Sequence, residues 1–339
     1  MWSYGTPGGL LAKLLVTGGA GFIGSHLVDA LLNEGHEVVV LDNLSSGSLS
    51  NIACHRKASR FSFVRGSILD QTLLEAVMRD VEGVYHLAAL VGVRYVVDDP
   101  LLGIRTNVLG TECVLRLAAR HGIKVLVASS SEAYGKSSQI PFRESGDSVI
   151  GSTDIPRWSY ALSKLLDEHL AFAYTRQRDL PTVVVRYFNA YGPRLDPRGY
   201  GSVIARFITQ AMSGKPLTVY GDGQQTRAFT FVSDTVRGTV LAMETPAAEG
   251  LAFNIGNPSE VSILQLARQV REAVGADVSI NHVPLEVVYG PHFEESRRRL
   301  PDITRARRIL GFEPEVPLHM GLRRTVDWFR EHWHDNLST

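Results

Sequence analysis

The chain has 339 residues, 44% of them hydrophobic, and its 35 basic and 35 acidic side chains cancel to a formal net charge of zero. With the two signs well mixed, no global field exists to recruit nucleic acid or an anionic membrane, so neither is expected as a partner and a polyanionic ligand must be held locally. Two cysteines, Cys54 and Cys113, are too few for a disulfide framework or a zinc cluster; no metal is expected, and reduced thiols point to a cytoplasmic protein.

The apolar run from Gly9 to Val16 is interrupted by Lys13, which argues against a signal peptide or a membrane span, and its end, Leu14-Leu15-Val16, reads as a buried strand. Next come Thr17-Gly18-Gly19-Ala20-Gly21-Phe22-Ile23-Gly24, with Phe22, Ile23, Leu27, Ala30, Leu31 and Leu32 at helical spacing. The glycines therefore occupy a strand-to-helix turn whose backbone N–H groups face a pyrophosphate. Gly18 permits the tight turn, Gly21 lets a phosphate approach, and Gly24 lets helix pack on strand. A second strand, 37–41, ends in Asp42, where a carboxylate can accept from adenosine ribose hydroxyls and repel a 2′-phosphate. NAD is thus expected rather than NADP. A three-glycine turn alone also serves ordinary packing; the strand that follows, and Asp42 at its end, make it a dinucleotide site.

Further strands are expected at 61–64, 83–87, 125–128 and 181–187, with helices around 70–79 and 104–121. That alternation specifies an α/β fold with a doubly wound parallel sheet. Beyond it, Pro, Gly and aromatic residues crowd 189–225, and helices are expected at 262–274, 302–310 and 318–333, the middle one closed by Gly311. Residues 12–188 with about 228–257 are expected to form the Rossmann domain, and about 189–227 with 258–335 a smaller C-terminal substrate lobe.

In Tyr160-Ala161-Leu162-Ser163-Lys164 a phenol and an ammonium lie four residues apart, on one helix face. A tyrosine is a poor base near neutrality, and a neighbouring cation is one of the few ways to favour its phenolate. The pair can then take a proton from a sugar hydroxyl while hydride leaves the attached carbon. Ser129-Ser130-Ser131-Glu132 follows the 125–128 strand, at the end of the sheet where ligands bind.

Together the glycine turn with Asp42, the Ser-Ser-Ser-x-x-Tyr-Gly strand end, Tyr-x-x-x-Lys and Arg186-Tyr187-Phe188-Asn189-Ala190-Tyr191-Gly192-Pro193 resemble the extended short-chain dehydrogenase/reductase family acting on nucleotide sugars. The resemblance spans about residues 12–330. It implies a catalytic set of Ser130, Ser131, Glu132, Tyr160 and Lys164, with Ser130 on the sugar 4-hydroxyl, Tyr160 as base and Lys164 on the nicotinamide ribose. It implies a cofactor site of Gly18, Gly21, Phe22, Ile23, Gly24, Asp42, Asn43, Ser67, Ile68, Leu87, Ala88, Ala89 and Asn107, together with Tyr160 and Lys164. Ser67 departs from the family, which usually has an Asp there for the adenine amino group. Substrate binding is implied for Asn189, Arg227 and Arg299 at the diphosphate and for Thr218 and Tyr220 at the uracil. Arg94 and Arg198 are possible receptors for a sugar carboxylate.

Glu132 separates the subfamilies. The strand end Ser130-Ser131-Glu132 is similar to the Thr-Ser-Glu of UDP-glucuronate decarboxylases and departs from the Thr-Asp-Glu of dTDP-glucose 4,6-dehydratases. The resemblance therefore implies a UDP-sugar substrate and, first, UDP-glucuronate decarboxylation through a 4-keto intermediate. The alternatives are a 4-epimerase of UDP-glucuronate or UDP-glucose, a 4,6-dehydratase, or a dinucleotide sensor without catalysis. Apolar residues on 104–121 and 160–174 (Ile104, Val108, Leu109, Val114, Leu115, Leu165, Leu166 and Leu170) are enough to serve the sheet and a second copy, so a homodimer is expected.

Overall fold

The computed structural model describes residues 11–91, 99–196, 202–289 and 297–333. Arg94 and Arg198 lie outside these residues. Six strands, β1 (Lys13–Thr17), β2 (Glu37–Asp42), β3 (Phe61–Arg65), β4 (Gly83–His86), β5 (Lys124–Ser130) and β6 (Thr182–Tyr187), join a seventh, Ala252–Ile255, in one sheet. All its pairings are parallel. The order across the sheet is β3, β2, β1, β4, β5, β6 and Ala252–Ile255, so the chain reverses direction between β1 and β4. This is the doubly wound Rossmann arrangement, and ligands in such sheets bind where the order reverses. The central strands are buried on both faces, which explains why they read as unbroken apolar runs such as Val38-Val39-Val40-Leu41.

Helix Phe22–Asn33 begins at the glycine turn. Gly18 has φ +73, and a Cβ on it would sit 2.8 Å from the Ala88 nitrogen; one on Gly24 would sit 2.2 Å from the Gly18 carbonyl oxygen. Only glycine lets strand, turn and helix approach so closely. The 104–121 helix of the sequence reading is a longer run: Pro100–Ile104, capped by the Asp99 side chain, passes through a π turn, Arg105–Leu109, into Gly110–His121. Helix Trp158–Arg178 packs against it and against β5, carrying Tyr160 and Lys164 to the end of the sheet.

The smaller C-terminal lobe includes helices Val203–Met212, Ile263–Val274 and Leu318–Glu331 and three small sheets. Ser262 and Gln265 form a reciprocal capping box on the second of these helices. Strand Thr226–Ala228 pairs with Glu260–Ser262 on one side and with Arg298–Arg299 on the other, in a register that sets Arg299 beside Arg227.

Helix Val203–Met212, helix Val232–Glu244, the seventh strand and most of the short strands of the smaller sheets were not read from the sequence. Helix Val232–Glu244 is rich in Val, Thr and Gly, poor helix formers, but ten of its residues are buried. Tertiary burial overrides local propensity there.

Candidate active site

A cavity of about 440 Å³ opens across the carboxyl ends of the central strands, and every cofactor-site residue expected from the sequence lines it except Asn107. At the glycine turn the helix Phe22–Asn33 presents its N-terminus with no side-chain cap, leaving first-turn N–H groups for an anion. Asp42 ends β2 and accepts from the backbone N–H of Ala20 at 3.0 Å and Leu44 at 2.8 Å. Burial raises its pKa above the usual carboxylate range, against the pull of those two bonds. The hydrogen bonds orient the carboxylate at the mouth of the glycine turn, and the cradle fits a dinucleotide.

Asn107 lies in the π turn and is 1% exposed, behind the cavity wall. Its amide accepts from the Leu90 N–H at 2.8 Å and donates to the Ser163 hydroxyl at 3.1 Å. It ties the loop after β4 to the helix bearing Tyr160 and does not face the ligand space.

At the other end of the cavity, β5 delivers a run of serines. Alternation along the strand sends the Ser129 hydroxyl to Glu168, 2.5 Å away, while Ser130 lines the cavity with Tyr160 and caps the turn Ser131–Tyr134 by accepting from the Glu132 N–H at 3.2 Å. Ser131 is buried at the same edge and lines the cavity. The side chain of Lys164 is 4% exposed, and its ammonium donates to the Ala128 carbonyl and to Asp167, both at 3.1 Å. The sequence reading has Lys164 favouring the Tyr160 phenolate; in the structure the lysine pairs with Asp167, and burial, followed by the negative field of Glu132, raises the Tyr160 pKa.

Glu132 points into a cluster of arginines. One oxygen accepts from Arg157 at 3.3 Å and the other from Arg299, and the charge of Arg227 also acts on it. Burial alone would raise its pKa, but Arg299, Arg157 and Arg227 together hold it below the usual carboxylate value. Arg157 had no role assigned from the sequence. It is 8% exposed, lines the cavity and lies over the Trp158 ring at 4.7 Å. Its position three residues before Tyr160 was the signal available. Of the triple arginine run only Arg299 reaches the site; Arg297 pairs with Asp222 and Arg298 with Glu260 at the surface.

Asn189, at φ +38, lines the cavity and donates to the Ala228 carbonyl at 2.9 Å. Arg227 stands behind Glu132 rather than in the wall, donating to the Thr226 carbonyl at 2.7 Å. Thr218 and Tyr220 also lie off the cavity. Gln210 donates to the Thr218 hydroxyl at 2.7 Å, and the Arg206 guanidinium covers the Tyr220 ring at 3.8 Å.

Residues 15–325 match the family model described as GDP-mannose 4,6 dehydratase. A UDP-N-acetyl-alpha-D-glucosaminuronate decarboxylase of Bacillus cytotoxicus is 42% identical over 320 residues, covering 94% of this chain and 98% of that protein. UDP-glucuronic acid decarboxylase 1 of Xenopus tropicalis is 37% identical, covering 94% of this chain and 72% of that one. Among solved structures, the UDP-glucuronic acid 4-epimerase of Bacillus cereus, in complex with UDP-glucuronic acid and NAD, is similar with a TM-score of 0.82 and 35% identity over 94% of this chain and 99% of that chain. The chain belongs to the GDP-mannose 4,6-dehydratase family, within the extended short-chain dehydrogenase/reductases, and is an NAD-dependent enzyme of nucleotide-sugar chemistry.

Proposed function

We propose that the protein decarboxylates UDP-glucuronate through a 4-keto intermediate. The observation that carries this reading is the meeting of Glu132 with Arg157, Arg227 and Arg299 at the cavity edge, one carboxylate among three guanidiniums. The field of three guanidiniums suits an anionic sugar, and a guanidinium fork suits its carboxylate. The names of the two decarboxylase relatives support the same reading.

Tyr160, in the cavity wall with Ser130, takes the proton of the sugar 4-hydroxyl. NAD held by the glycine turn and Asp42 would supply the hydride chemistry at C4. The resulting β-keto acid loses CO2 as the C5–C6 bond breaks, and its electrons enter an enolate across C4 and C5. Glu132 and its arginines border the place where C5 is then reprotonated. Return of the Tyr160 proton to the C4 oxygen, as C4 is reduced again, would give UDP-xylose.

Two nucleotide sugars discriminate the outcomes: incubation with UDP-glucuronate, and separately with its 2-acetamido counterpart, followed by mass spectrometry. Loss of CO2 from the first is the expected result. Unchanged mass with inverted C4 stereochemistry would assign a 4-epimerase instead, and decarboxylation of the second alone would move the substrate to the N-acetylated uronate.

A second copy of the chain is part of this reading. Leu101, Ile104, Leu109, Leu162 and Leu166 are exposed on the two helical runs that pack together beside the site. Apolar residues grouped in this way suit a two-fold dimer, which the native mass at micromolar concentration checks. A cytosolic setting accords with the free thiols Cys54 and Cys113.

A further inference from the structure

The three-stranded sheet of Thr226–Ala228, Glu260–Ser262 and Arg298–Arg299 carries different charge patterns on its two faces. On the inner face Arg227 and Arg299 are register partners; Arg299 donates to Glu132, and the charge of Arg227 acts on the same carboxylate. Like charges side by side on a sheet repel, so Arg298–Arg299, a strand of two residues, must be held in place against that force. The run Arg297-Arg298-Arg299 does not choose its own register. A shift of one residue turns every side chain of a strand to the other face, and in one direction such a shift would still set arginine beside Arg227.

The outer face supplies the hold. Thr226 and Arg298 are register partners there, and Glu260 reaches across to both from the third strand. Its carboxylate accepts from the Thr226 hydroxyl at 2.6 Å and from the Arg298 fork, Nε at 3.2 Å and Nη2 at 2.6 Å. One side chain thus ties all three strands together. Backbone bonds fix the two ends of the run: the Thr226 N–H donates to the Arg297 carbonyl at 2.9 Å and the Phe142 N–H to the Leu300 carbonyl at 2.8 Å. Arg297 adds little, since its side chain is 81% exposed and its contact with Asp222 is 3.4 Å.

We propose that Glu260 is a positioning residue for the reaction: by gripping Arg298 on the outer face of the sheet it holds Arg299 on the inner face, beside Arg227 and onto Glu132. An ion pair as exposed as this one adds little to overall stability, because solvent screens it. Its effect is on geometry. A bidentate fork fixes direction as well as distance, and a small displacement of so short a strand would draw Arg299 away from Glu132 while the rest of the fold stays intact.

The inference rests on the reading in which Glu132 and Arg299 serve the C5 steps of decarboxylation. Wild type, Glu260→Gln, Arg298→Met and the double variant, all full-length, are compared in CO2 release from UDP-glucuronate, NADH absorbance during turnover, NAD affinity and thermal midpoint. Glu260→Gln keeps the size of the side chain and removes its charge. It should slow CO2 release about tenfold, with NADH absorbance accumulating because C4 is still oxidised while the C5 steps lag. NAD affinity and thermal midpoint should stay at their wild-type values, which a general loosening of the fold would not allow. Arg298→Met should do the same, and the double variant no more than either single one, since both substitutions remove one grip. Wild-type turnover in Glu260→Gln, or effects of the two substitutions that add, overturns the proposal; if Glu260→Gln fails to fold, wild-type turnover in Arg298→Met overturns it alone. Arg299→Met tells this failure from that of the underlying reading. A loss there with none in Glu260→Gln sinks only the positioning role, whereas full turnover in Arg299→Met, or a wild type that releases no CO2, sinks the reading and the inference together.

Discussion

Two glutamates flank the end of β5 and meet arginine in opposite ways. Glu168 is 3% exposed and takes two of its three bonds from one guanidinium, Arg186 Nε at 2.9 Å and Nη2 at 2.6 Å, with Ser129 as the third donor. Charge is matched one to one within the core, although Arg186 Nη1 has no hydrogen-bond partner among the described residues, and Arg186 lies over the Tyr134 ring at 4.6 Å. Glu132, at the cavity edge, divides its oxygens between Arg157 and Arg299 and has Arg227 behind it. A carboxylate closed on one guanidinium belongs to the core; one shared among several guanidiniums stands at the edge of the cavity. The count of partners, rather than the residue types, separates the structural site from the reactive one.

The largest expected effect comes from breaking the matched pair. Arg186→Met leaves a buried carboxylate without its cation and should cost about 3–5 kcal/mol of stability, read from urea unfolding. A loss within the range of ordinary surface substitutions would show that Glu168 finds another partner and that the one-to-one count carries no meaning.

Glu132→Gln tests the other side. The amide keeps the size of the side chain and removes its charge and proton-transfer capacity. The variant should still oxidise C4, seen as accumulating NADH absorbance, while the later C5 steps slow by on the order of a hundredfold. If the variant turns over UDP-glucuronate as the wild type does, Glu132 leaves the catalytic set and the decarboxylase reading loses its support.

The smallest effect is on acid stability. Glu132 ionises more readily in the fold than at its ordinary value of 4.5, because the three arginines outweigh burial. Its charge therefore stabilises the fold fully above about pH 4.5, and that contribution is lost as the pH falls through the lower folded pKa. The urea midpoints of wild type and Glu132→Gln, compared from about pH 6 down to about pH 3, should converge at the acid end. A constant gap across that range would mean that the arginines do not hold the Glu132 proton off.

The cofactor half of the molecule was readable in one dimension because backbone makes it. A strand, a glycine turn, a helix N-terminus and Asp42 at the next strand's end are local features, and each leaves its mark within thirty residues. Tyr160 and Lys164 were equally plain from helical spacing. What the lysine meets was not plain: Asp167 is visible three positions on, but its burial comes from helices and strands brought together by the sheet. The sugar half depended on tertiary structure almost entirely. Arg299 and Arg227 stand side by side through strand register, and Arg157 reaches Glu132 from the start of another helix. Sequence by itself determined the fold class and the dinucleotide site, since both are written in local periodicity and turn chemistry. Only the tertiary structure decided which charges are matched, because electrostatic balance depends on distance and burial among residues far apart in the chain.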